Sequence, residues 1–296
     1  MTTLNAPVLT SGNRGRVWIQ SDLQLSNPEV ARKVLTDAVD DMLELDLGIG
    51  AIWCLGDVMC GKQIDDVINL ANMTIEQLGR LNVPICYVMG NHDADLKRVH
   101  GLDRYPLYEM AREHPMWHVS DNIDDMYFAR MVYGTLVIFM GDHMARDGSW
   151  WTSHGHVAAK PELYPYSPKH YNDLRDAIGR HPGPVATASH YSYPGGQRQA
   201  DLYQNLLPLP DNVKFHCYGH AHIGDLVWNK ENPYLRPNPI NGQSLIQFNI
   251  SALETARTPG SHSAVLDIGP QGPEQLRIRC HLEKKWVDTY SLPMHQ

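Results

Sequence analysis

The sequence predicts a layered α/β fold, and three observations support this. The 296 residues are 43% hydrophobic and 20% charged, so the chain can bury a substantial core. Apolar, β-branched runs recur, each closed by a short polar or glycine-containing turn, which is typical of buried strands. Segments with helical spacing lie between these runs, and such an alternation is typical of sheets covered by helices.

The predicted elements follow one another along the chain. Strands are predicted over residues 16–21, 51–55, 84–89, 135–140, 184–189 and 213–218. Helices are predicted over residues 28–47, 64–81 and 168–179, with Asn27 as the cap of the first and Pro28 at its first position. Residues 244–251, 263–268 and 275–286 predict three strands without intervening helices, and therefore a second, more antiparallel sheet.

A single domain accounts for this pattern. The loop over residues 229–243 is rich in Pro, Asn and Gly, but no composition break is long enough to be a linker, and no internal repeat is visible. We expect a flexible N-terminal segment over residues 1–15, followed by one domain over residues 16–290.

The composition argues against several classes of protein. The 25 basic and 33 acidic side chains give a net charge of −8, which is unfavourable for a general binder of nucleic acid or of anionic membranes. The apolar runs are far shorter than the roughly 20 residues that cross a bilayer, and residues 1–16 lack the apolar core of a signal peptide. Five cysteines without a CxxC pair argue against a disulfide framework or a zinc ribbon. We therefore expect a cytoplasmic protein without membrane contact.

Metal-ligand residue types follow five of the six predicted strands in the first part of the chain. In order, these are Asp22-Leu23-Gln24, Gly56-Asp57, Gly90-Asn91-His92-Asp93, His190 and Gly219-His220-Ala221-His222. Each motif alone is more often a turn or a hydrogen-bonded core group. Together and in this order they are specific, because α/β sheets bind ligands outside the carboxyl ends of their strands.

In this order the motifs resemble the calcineurin-like metallophosphoesterases, whose pattern is Asp-x-His, Gly-Asp, Gly-Asn-His-Asp/Glu, His and Gly-His-x-His. The resemblance covers residues 16–268 and implies a four-layer αββα sandwich, in which two mixed β-sheets are flanked by helices. It also implies a dinuclear metal centre. One metal would be held by Asp22, Gln24, Asp57 and His222, and the other by Asp57, Asn91, His190 and His220, with Asp57 bridging.

The implied chemistry is hydrolysis of a phosphate ester. Two divalent cations that share a carboxylate and a water lower the pKa of that water, so that a bridging hydroxide can act as nucleophile near neutral pH. Their net positive charge attracts an anionic phosphoryl group. His92 would lie beside the metals and contact a phosphate oxygen or protonate the leaving group, and Asp93 would orient His92 or a neighbouring backbone turn.

Position 24 departs from the family pattern, because it holds Gln where His is usual. An amide oxygen is a neutral, harder and weaker ligand than imidazole, which favours Mn²⁺ or Mg²⁺ over Zn²⁺ here, while Fe remains an option in the second site. The same Asp-x-Gln variant resembles the manganese-dependent ADP-ribose/CDP-alcohol diphosphatase branch. The alternative is that Gln24 reflects neutral drift or partial loss of the first site.

Substrate contacts are indicated only weakly. His143 follows the strand predicted over residues 135–140, and Tyr191 and Tyr193 follow His190, so all three could approach the same edge. Residues 141–165 could form a lid whose tryptophans stack on a base, although packing under a long loop explains them equally well. Cys60 could be a nucleophile, but a metal-activated hydroxide makes that role unnecessary.

These observations predict a metal-dependent phosphoesterase with two divalent ions, of which Mn²⁺ is favoured. Its substrate would be small, phosphorylated and nucleotide-like, with a phosphodiester or nucleotide pyrophosphate bond, whereas the negative net charge argues against a nuclease. The alternative is a catalytically inactive or metal-poor binding or scaffold protein with the same fold. Non-hydrolytic chemistry with a redox-active metal is also compatible with the ligand types. The sequence gives no indication of the oligomeric state.

Overall fold

The computed structural model describes residues 4–24, 27–60, 63–123, 125, 127–140, 168–192, 206, 208–222, 232–237, 246–258 and 260–292. Its helices are α1 Pro28–Glu44, α2 Ile64–Gly79, α3 Asp95–His100, α4 Pro106–Glu113 and α5 Pro168–Gly179. Its strands are β1 Val8–Thr10, β2 Gly15–Gln20, β3 Ile49–Cys54, β4 Ile85–Tyr87, β5 Trp117–His118, β6 Tyr127–Val132, β7 Thr135–Met140, β8 Val185–Ser189, β9 Val213–Tyr218, β10 Leu235–Pro237, β11 Ile246–Asn249, β12 His262–Gly269, β13 Gly272–Cys280 and β14 Lys285–Ser291.

Two mixed sheets of seven strands each carry the described part of the fold. One has the order β1-β6-β7-β8-β9-β11-β10, and the other has the order β14-β13-β12-β2-β3-β4-β5. Strands β7, β8, β9 and β11 are parallel in the first sheet, as are β2, β3, β4 and β5 in the second. The parallel strands of each sheet therefore end at a common edge, which is where the predicted ligands follow them.

Alternation along the strands produces four layers. In β2, Val17 and Ile19 point into the core between the sheets, whereas Trp18 points to the helices that cover the other face. Helices α1, α2 and α4 bury their apolar sides on this outer face, and α5 covers the outer face of the other sheet. Between the sheets, the rings of Trp53 and Phe139 meet edge to face with centroids 5.3 Å apart. The predicted αββα sandwich is confirmed.

Local signals in the sequence explain the first helix. The Asn27 side chain accepts hydrogen bonds from the backbone N–H groups of Glu29 and Val30, and Pro28 occupies the first turn, as predicted. The buried apolar residues of α1 recur three and four positions apart and form the face that packs against the sheet. The helix ends at Glu44, three residues earlier than predicted.

The prediction of one strand over residues 275–286 is wrong. The chain there forms two antiparallel strands, β13 and β14, joined by a turn at residues 281–284. Lys284 has a left-handed backbone conformation, with φ 49°. The turn His-Leu-Glu-Lys contains no Gly, Pro, Asn or Asp, so nothing in its composition marks it.

The N-terminal segment contains a strand that the sequence analysis did not include. Residues 8–10 form β1, which pairs in parallel with β6 at the edge of the first sheet. Among the described residues, no helix is long and apolar enough to span a bilayer.

Candidate metal centre

Three of the predicted ligands occupy strained backbone positions just after strands. Asp22, Asp57 and His220 have φ values of 56°, 52° and 63°. A left-handed conformation costs a residue with a side chain on the order of 1–2 kcal/mol. The backbone is locked by long-range bonds, in which Asp22 N–H donates to Gly56 O and the His220 N–H donates to the Asp22 carboxylate. Such strain is often found at functional sites, where it aims side chains at one point.

The first group of predicted ligands is Asp22, Gln24 and His222. His222 Nε2 lies 3.3 Å from Asp22 Oδ1 and 2.7 Å from Gln24 Nε2, and Gln24 Nε2 lies 3.3 Å from Asp22 Oδ1. All three side chains are buried. The amide nitrogen of Gln24 faces the other two groups, so the amide would have to turn over to present its oxygen to a cation.

Glu254 belongs to this group, although nothing in the sequence pattern pointed to it. Its Oε1 lies 2.7 Å from His222 Nδ1, and the carboxylate also accepts hydrogen bonds from the backbone N–H groups of Ala256 and Arg257. Burial alone would lower the pKa of His222, but its hydrogen bonds to Asp22 and Glu254 outweigh burial and raise it to about 9. The surroundings of His222 therefore favour a positive charge, whether a proton or a metal ion supplies it.

The second group contains Asp57, Asn91, His190 and His220. The ligand atoms of Asp57, His190 and His220 all lie within 4.8 Å of one another. His190 Nδ1 lies 2.8 Å from the carbonyl oxygen of Leu55, and in the tautomer that donates this bond Nε2 carries a lone pair. That Nε2 lies 3.1 Å from Asp57 Oδ2 and 3.2 Å from Asn91 Oδ1, so three acceptors meet at one point.

The polar atoms of this group fit a cation. Asp57 Oδ2 and His220 Nδ1 are buried side-chain atoms without a hydrogen-bond partner, and a bound cation would offset the cost of burying such groups unpaired. Burial together with the charge of His190 lowers the pKa of His220 to about 3, so the ring is neutral at pH 7 and can ligate. When no metal is bound, a proton on His190 Nε2 would supply Asp57 Oδ2 with a donor, and the resulting charge outweighs burial and holds the pKa of Asp57 well below its usual range.

Asp93 organises the backbone around Asp57. Its carboxylate accepts hydrogen bonds from the backbone N–H groups of Asp57, Val58, Met59 and Gly90. Burial and the nearby Asp57 charge raise the pKa of Asp93 to about 6 despite these hydrogen bonds. Of the two roles expected for Asp93, the geometry thus supports the backbone turn.

His92 is oriented by Asp95 instead. His92 Nδ1 lies 2.9 Å from Asp95 Oδ2, and the backbone N–H of His92 donates to Asp57 Oδ1 at 2.7 Å. The Asp95 side chain is 5% exposed and that of His92 is 27% exposed, so the ring lies at the surface of the site on a buried support. Half-buried Cys60 lies beside them, with its ligand atom within 4.8 Å of theirs.

Most of the residues predicted to contact substrate lie outside the part of the chain that the structure describes. His143, Tyr193 and the tryptophans of the 141–165 segment lie outside the described residues. Tyr191 is described and is 1% exposed; its hydroxyl donates to Asn91 Oδ1 at 2.8 Å. Its observed contact is therefore with a predicted ligand.

The fold thus brings the seven predicted ligands together at the carboxyl ends of parallel strands of both sheets, and the sequence analysis missed Glu254 and Asp95. Asp95 lies three residues after His92 in the Gly-Asn-His-Asp-Ala-Asp segment, and this spacing could have suggested the contact. Glu254 follows β11, whose pairing with β9 brings it to the site, and no local pattern shows this.

Comparison with known proteins agrees with this geometry. A family model described as the calcineurin-like phosphoesterases matches residues 15–224. No curated protein gives a match to the sequence. The fold is similar to that of a dimetal phosphatase from Danio rerio, with TM-score 0.62, 13% identity and coverage of 95% of this chain and 99% of that one.

Two further solved structures share the fold. One is GAP50, described as the anchor in the inner membrane complex of Plasmodium, with TM-score 0.54, 15% identity and coverage of 96% of this chain and 90% of that one. The other is the NAD nucleotidase NadN of Haemophilus influenzae, with TM-score 0.50, 12% identity and coverage of 94% of this chain and 53% of that one. At these identities the likeness concerns the fold alone.

Proposed function

The chain belongs to the calcineurin-like phosphoesterase family, which supports a metal-dependent hydrolase of phosphoester bonds, and on this premise we propose that it cleaves a phosphodiester or nucleotide pyrophosphate bond. The observation that carries the proposal is the meeting of buried acceptors at Asp57, His190 and His220, where a hydrogen-bond donor is lacking for Asp57 Oδ2 and His220 Nδ1. A bound cation would stabilise acceptors in this arrangement.

Two divalent ions, when bound, would supply Lewis-acid activation of water and positive charge for the phosphoryl group. Asp22, Gln24, Asp57 and His222 would hold one ion, and Asp57, Asn91, His190 and His220 the other. The oxygen-rich first set favours Mn²⁺. Glu254 would hold the ring of His222 in place, as a carboxylate behind a metal-binding histidine commonly does.

His92 would act on the substrate rather than on the metals. Its contact with Asp95 engages Nδ1 and fixes the ring, so Nε2 would be the nitrogen that contacts a phosphoryl oxygen or delivers a proton to the leaving oxygen. The partly exposed ring and its buried carboxylate support suit a group that must meet substrate in a constant orientation.

The narrower choice of bond rests on the Asp-x-Gln motif at Asp22 and Gln24, which resembles a nucleotide diphosphatase branch of the family. The name of the Haemophilus influenzae neighbour, an NAD nucleotidase, is consistent with a nucleotide-like substrate. A cytoplasmic location and a single domain over residues 16–290 are part of the same proposal.

The test is hydrolysis by manganese-loaded protein of bis-p-nitrophenyl phosphate, nucleotide pyrophosphates and phosphomonoesters. We expect the diester or the pyrophosphate to be cleaved with the higher kcat/KM. Asp57→Asn and His92→Asn should lower kcat at least 100-fold, since each removes a group of the reaction. His100→Asn, which changes an exposed histidine at the end of α3, is the matched control and should keep wild-type kcat. Preference for monoesters would contradict the choice of bond.

A metal-poor scaffold is the second candidate, and the orientation of Gln24 favours it. The amide nitrogen donates to Asp22 Oδ1, so this carboxylate oxygen has a hydrogen-bond partner without a cation. GAP50, which shares the fold, is described as an anchor. Elemental analysis after manganese-replete expression separates the two functions, because about two metals per chain support the enzyme and none supports the scaffold.

A further inference from the structure

A second group of metal-ligand side chains lies beside the predicted dinuclear centre. It consists of Cys60, His92 and Asp95, each offering one ligand atom, and these atoms all lie within 4.8 Å of one another. None of the three is among the seven predicted ligands of the dinuclear centre. From this juxtaposition we propose that the group binds a single thiophilic cation of the zinc type, and that this ion inhibits hydrolysis by capturing His92.

The ligand set matches zinc. A thiolate, an imidazole and a carboxylate are the three kinds of ligand that hold Zn²⁺ in proteins, and three protein ligands with a water in the fourth position are common. In a tetrahedral zinc site neighbouring ligand atoms are about 3.3–3.6 Å apart. His92 Nδ1 and Asp95 Oδ2 are 2.9 Å apart, so modest side-chain rotations would bring the group to coordinating distance.

Charge and access also suit such an ion. A thiolate and a carboxylate together neutralise one Zn²⁺, and the thiol proton is released to solvent on binding. Cys60 is half-buried and the His92 side chain is 27% exposed, so a cation can enter from solvent, whereas the Asp95 side chain is 5% exposed and provides a fixed anchor. The dinuclear centre offers no sulfur ligand, which gives the two places different metal preferences.

The expected consequence is inhibition, and this part rests on the proposed function. Zinc held by His92 Nδ1 would replace the hydrogen bond to Asp95 and draw the ring toward Cys60. The imidazole would then be withdrawn from the phosphoryl group that it is proposed to serve. The two manganese ions would stay in place.

The test is a zinc titration of manganese-loaded enzyme in excess Mn²⁺, followed by metal analysis. Wild type should bind one zinc per chain in addition to two manganese and lose at least tenfold in kcat. Cys60→Ser should keep wild-type kcat without zinc and need at least tenfold more zinc for the same inhibition. Asp103→Asn is the matched control, because Asp103 is an exposed carboxylate just beyond α3 that pairs with Lys97, and it should respond to zinc as wild type does.

Cobalt provides a readout that does not depend on catalysis. Co²⁺ bound by Cys60 should give a thiolate-to-cobalt charge-transfer band in the near ultraviolet, which Cys60→Ser abolishes. The described thiols other than Cys60 are buried, so the variant isolates this group. A band without inhibition would overturn the inhibitory role, and absence of both the band and the third metal would overturn the site. Failure of the hydrolase assay itself would leave the cobalt result to decide whether the site exists.

Discussion

Both ring nitrogens of His222 contact neighbouring side chains, and these contacts affect how strongly the ring can bind a metal ion. Nε2 faces Asp22 and Gln24, while Nδ1 meets the buried carboxylate of Glu254 at 2.7 Å. A carboxylate behind a metal-binding histidine fixes the ring and increases its basicity, and loss of such a partner typically weakens metal binding 10- to 100-fold. Because an amide oxygen is a weak metal ligand, the proposed site at Asp22, Gln24 and His222 would depend more than usual on His222.

We therefore predict that Glu254→Gln weakens manganese binding at one site per chain by about 10- to 100-fold. The amide has nearly the same shape but lacks the charge that supports the imidazole. Titration of metal-free protein with Mn²⁺, followed by calorimetry, should show two sites in both proteins. In the variant, one of the two sites should bind Mn²⁺ more weakly than in wild type. Glu283→Gln, at an exposed glutamate that pairs with Lys285, is the control. Two unchanged sites in Glu254→Gln would show that the carboxylate has only a structural role.

The loops after β3 and β4 show how elements position the site. Gly56 has φ 85° and lies against Gly90, so the two loops touch through their backbones. A Cβ added to Gly90 would lie 2.4 Å from both the backbone N and the Oδ1 of Asp57. No side chain fits between these loops without moving the proposed bridging carboxylate.

Gly90→Ala is accordingly expected to destabilise the fold by about 1–3 kcal/mol and to displace Asp57. Manganese stoichiometry should fall along with the urea midpoint of unfolding. Gly79→Ala is the matched control, because Gly79 ends α2 and an added Cβ meets nothing within 4 Å. Alanine there should be neutral or slightly stabilising, since it is the better helix former. Equal metal content and stability in Gly90→Ala and wild type would refute this account.

The sequence predicts features that depend on residues close together in the chain, and it does not predict features that depend on contacts between distant residues. Apolar runs and caps are local, so the strands that precede Asp22, Asp57 and His190 and the start of α1 were predicted correctly. The β13–β14 turn was missed because it lacks turn-forming residues. Glu254 was missed because it reaches the site only through the pairing of β11 with β9, a long-range contact without a local signal. Metal identity and substrate are set by contacts that strand patterns do not encode.

At the scale of the whole molecule, a buried polar network joins the helical layer to the second sheet. Asp41 of α1 receives two hydrogen bonds from Arg279 of β13, at 2.9 and 2.7 Å, and lies 2.8 Å from His281 Nδ1. His281 Nε2 lies 2.7 Å from the hydroxyl of Ser263 in β12, which accepts from Trp18 of β2. The network thus holds α1 against the strand that leads to Asp22, and breaking such a buried pair typically costs about 3–5 kcal/mol.

The pKa of Asp41 makes this network sensitive to acid. Burial alone would raise the pKa, but the hydrogen bonds from Arg279 and His281 outweigh burial and lower it from 3.8 to about 2. A carboxyl group with a lowered folded-state pKa stabilises the protein above its unfolded pKa, and this stabilisation, about 2 kcal/mol here, is lost as the pH falls from near 4 to near 2. His281 adds to the loss at low pH, because burial lowers its pKa below 6.5 in the folded chain.

We predict that Asp41→Asn lowers the free energy of unfolding by about 3–5 kcal/mol at pH 7, because it leaves the Arg279 charge buried and unpaired. The difference from wild type should shrink as the pH falls toward 2, since wild-type Asp41 then becomes neutral as well. Urea unfolding at pH 7, 5, 4 and 3, with chelator in every sample so that metal release does not contribute, measures this. Asp40→Asn, at an exposed carboxylate one residue away that pairs with Arg80, should change stability by less than about 1 kcal/mol. A difference between wild type and Asp41→Asn that stays constant with pH would mean that the protein loses packing, rather than the charge of Asp41, in the variant.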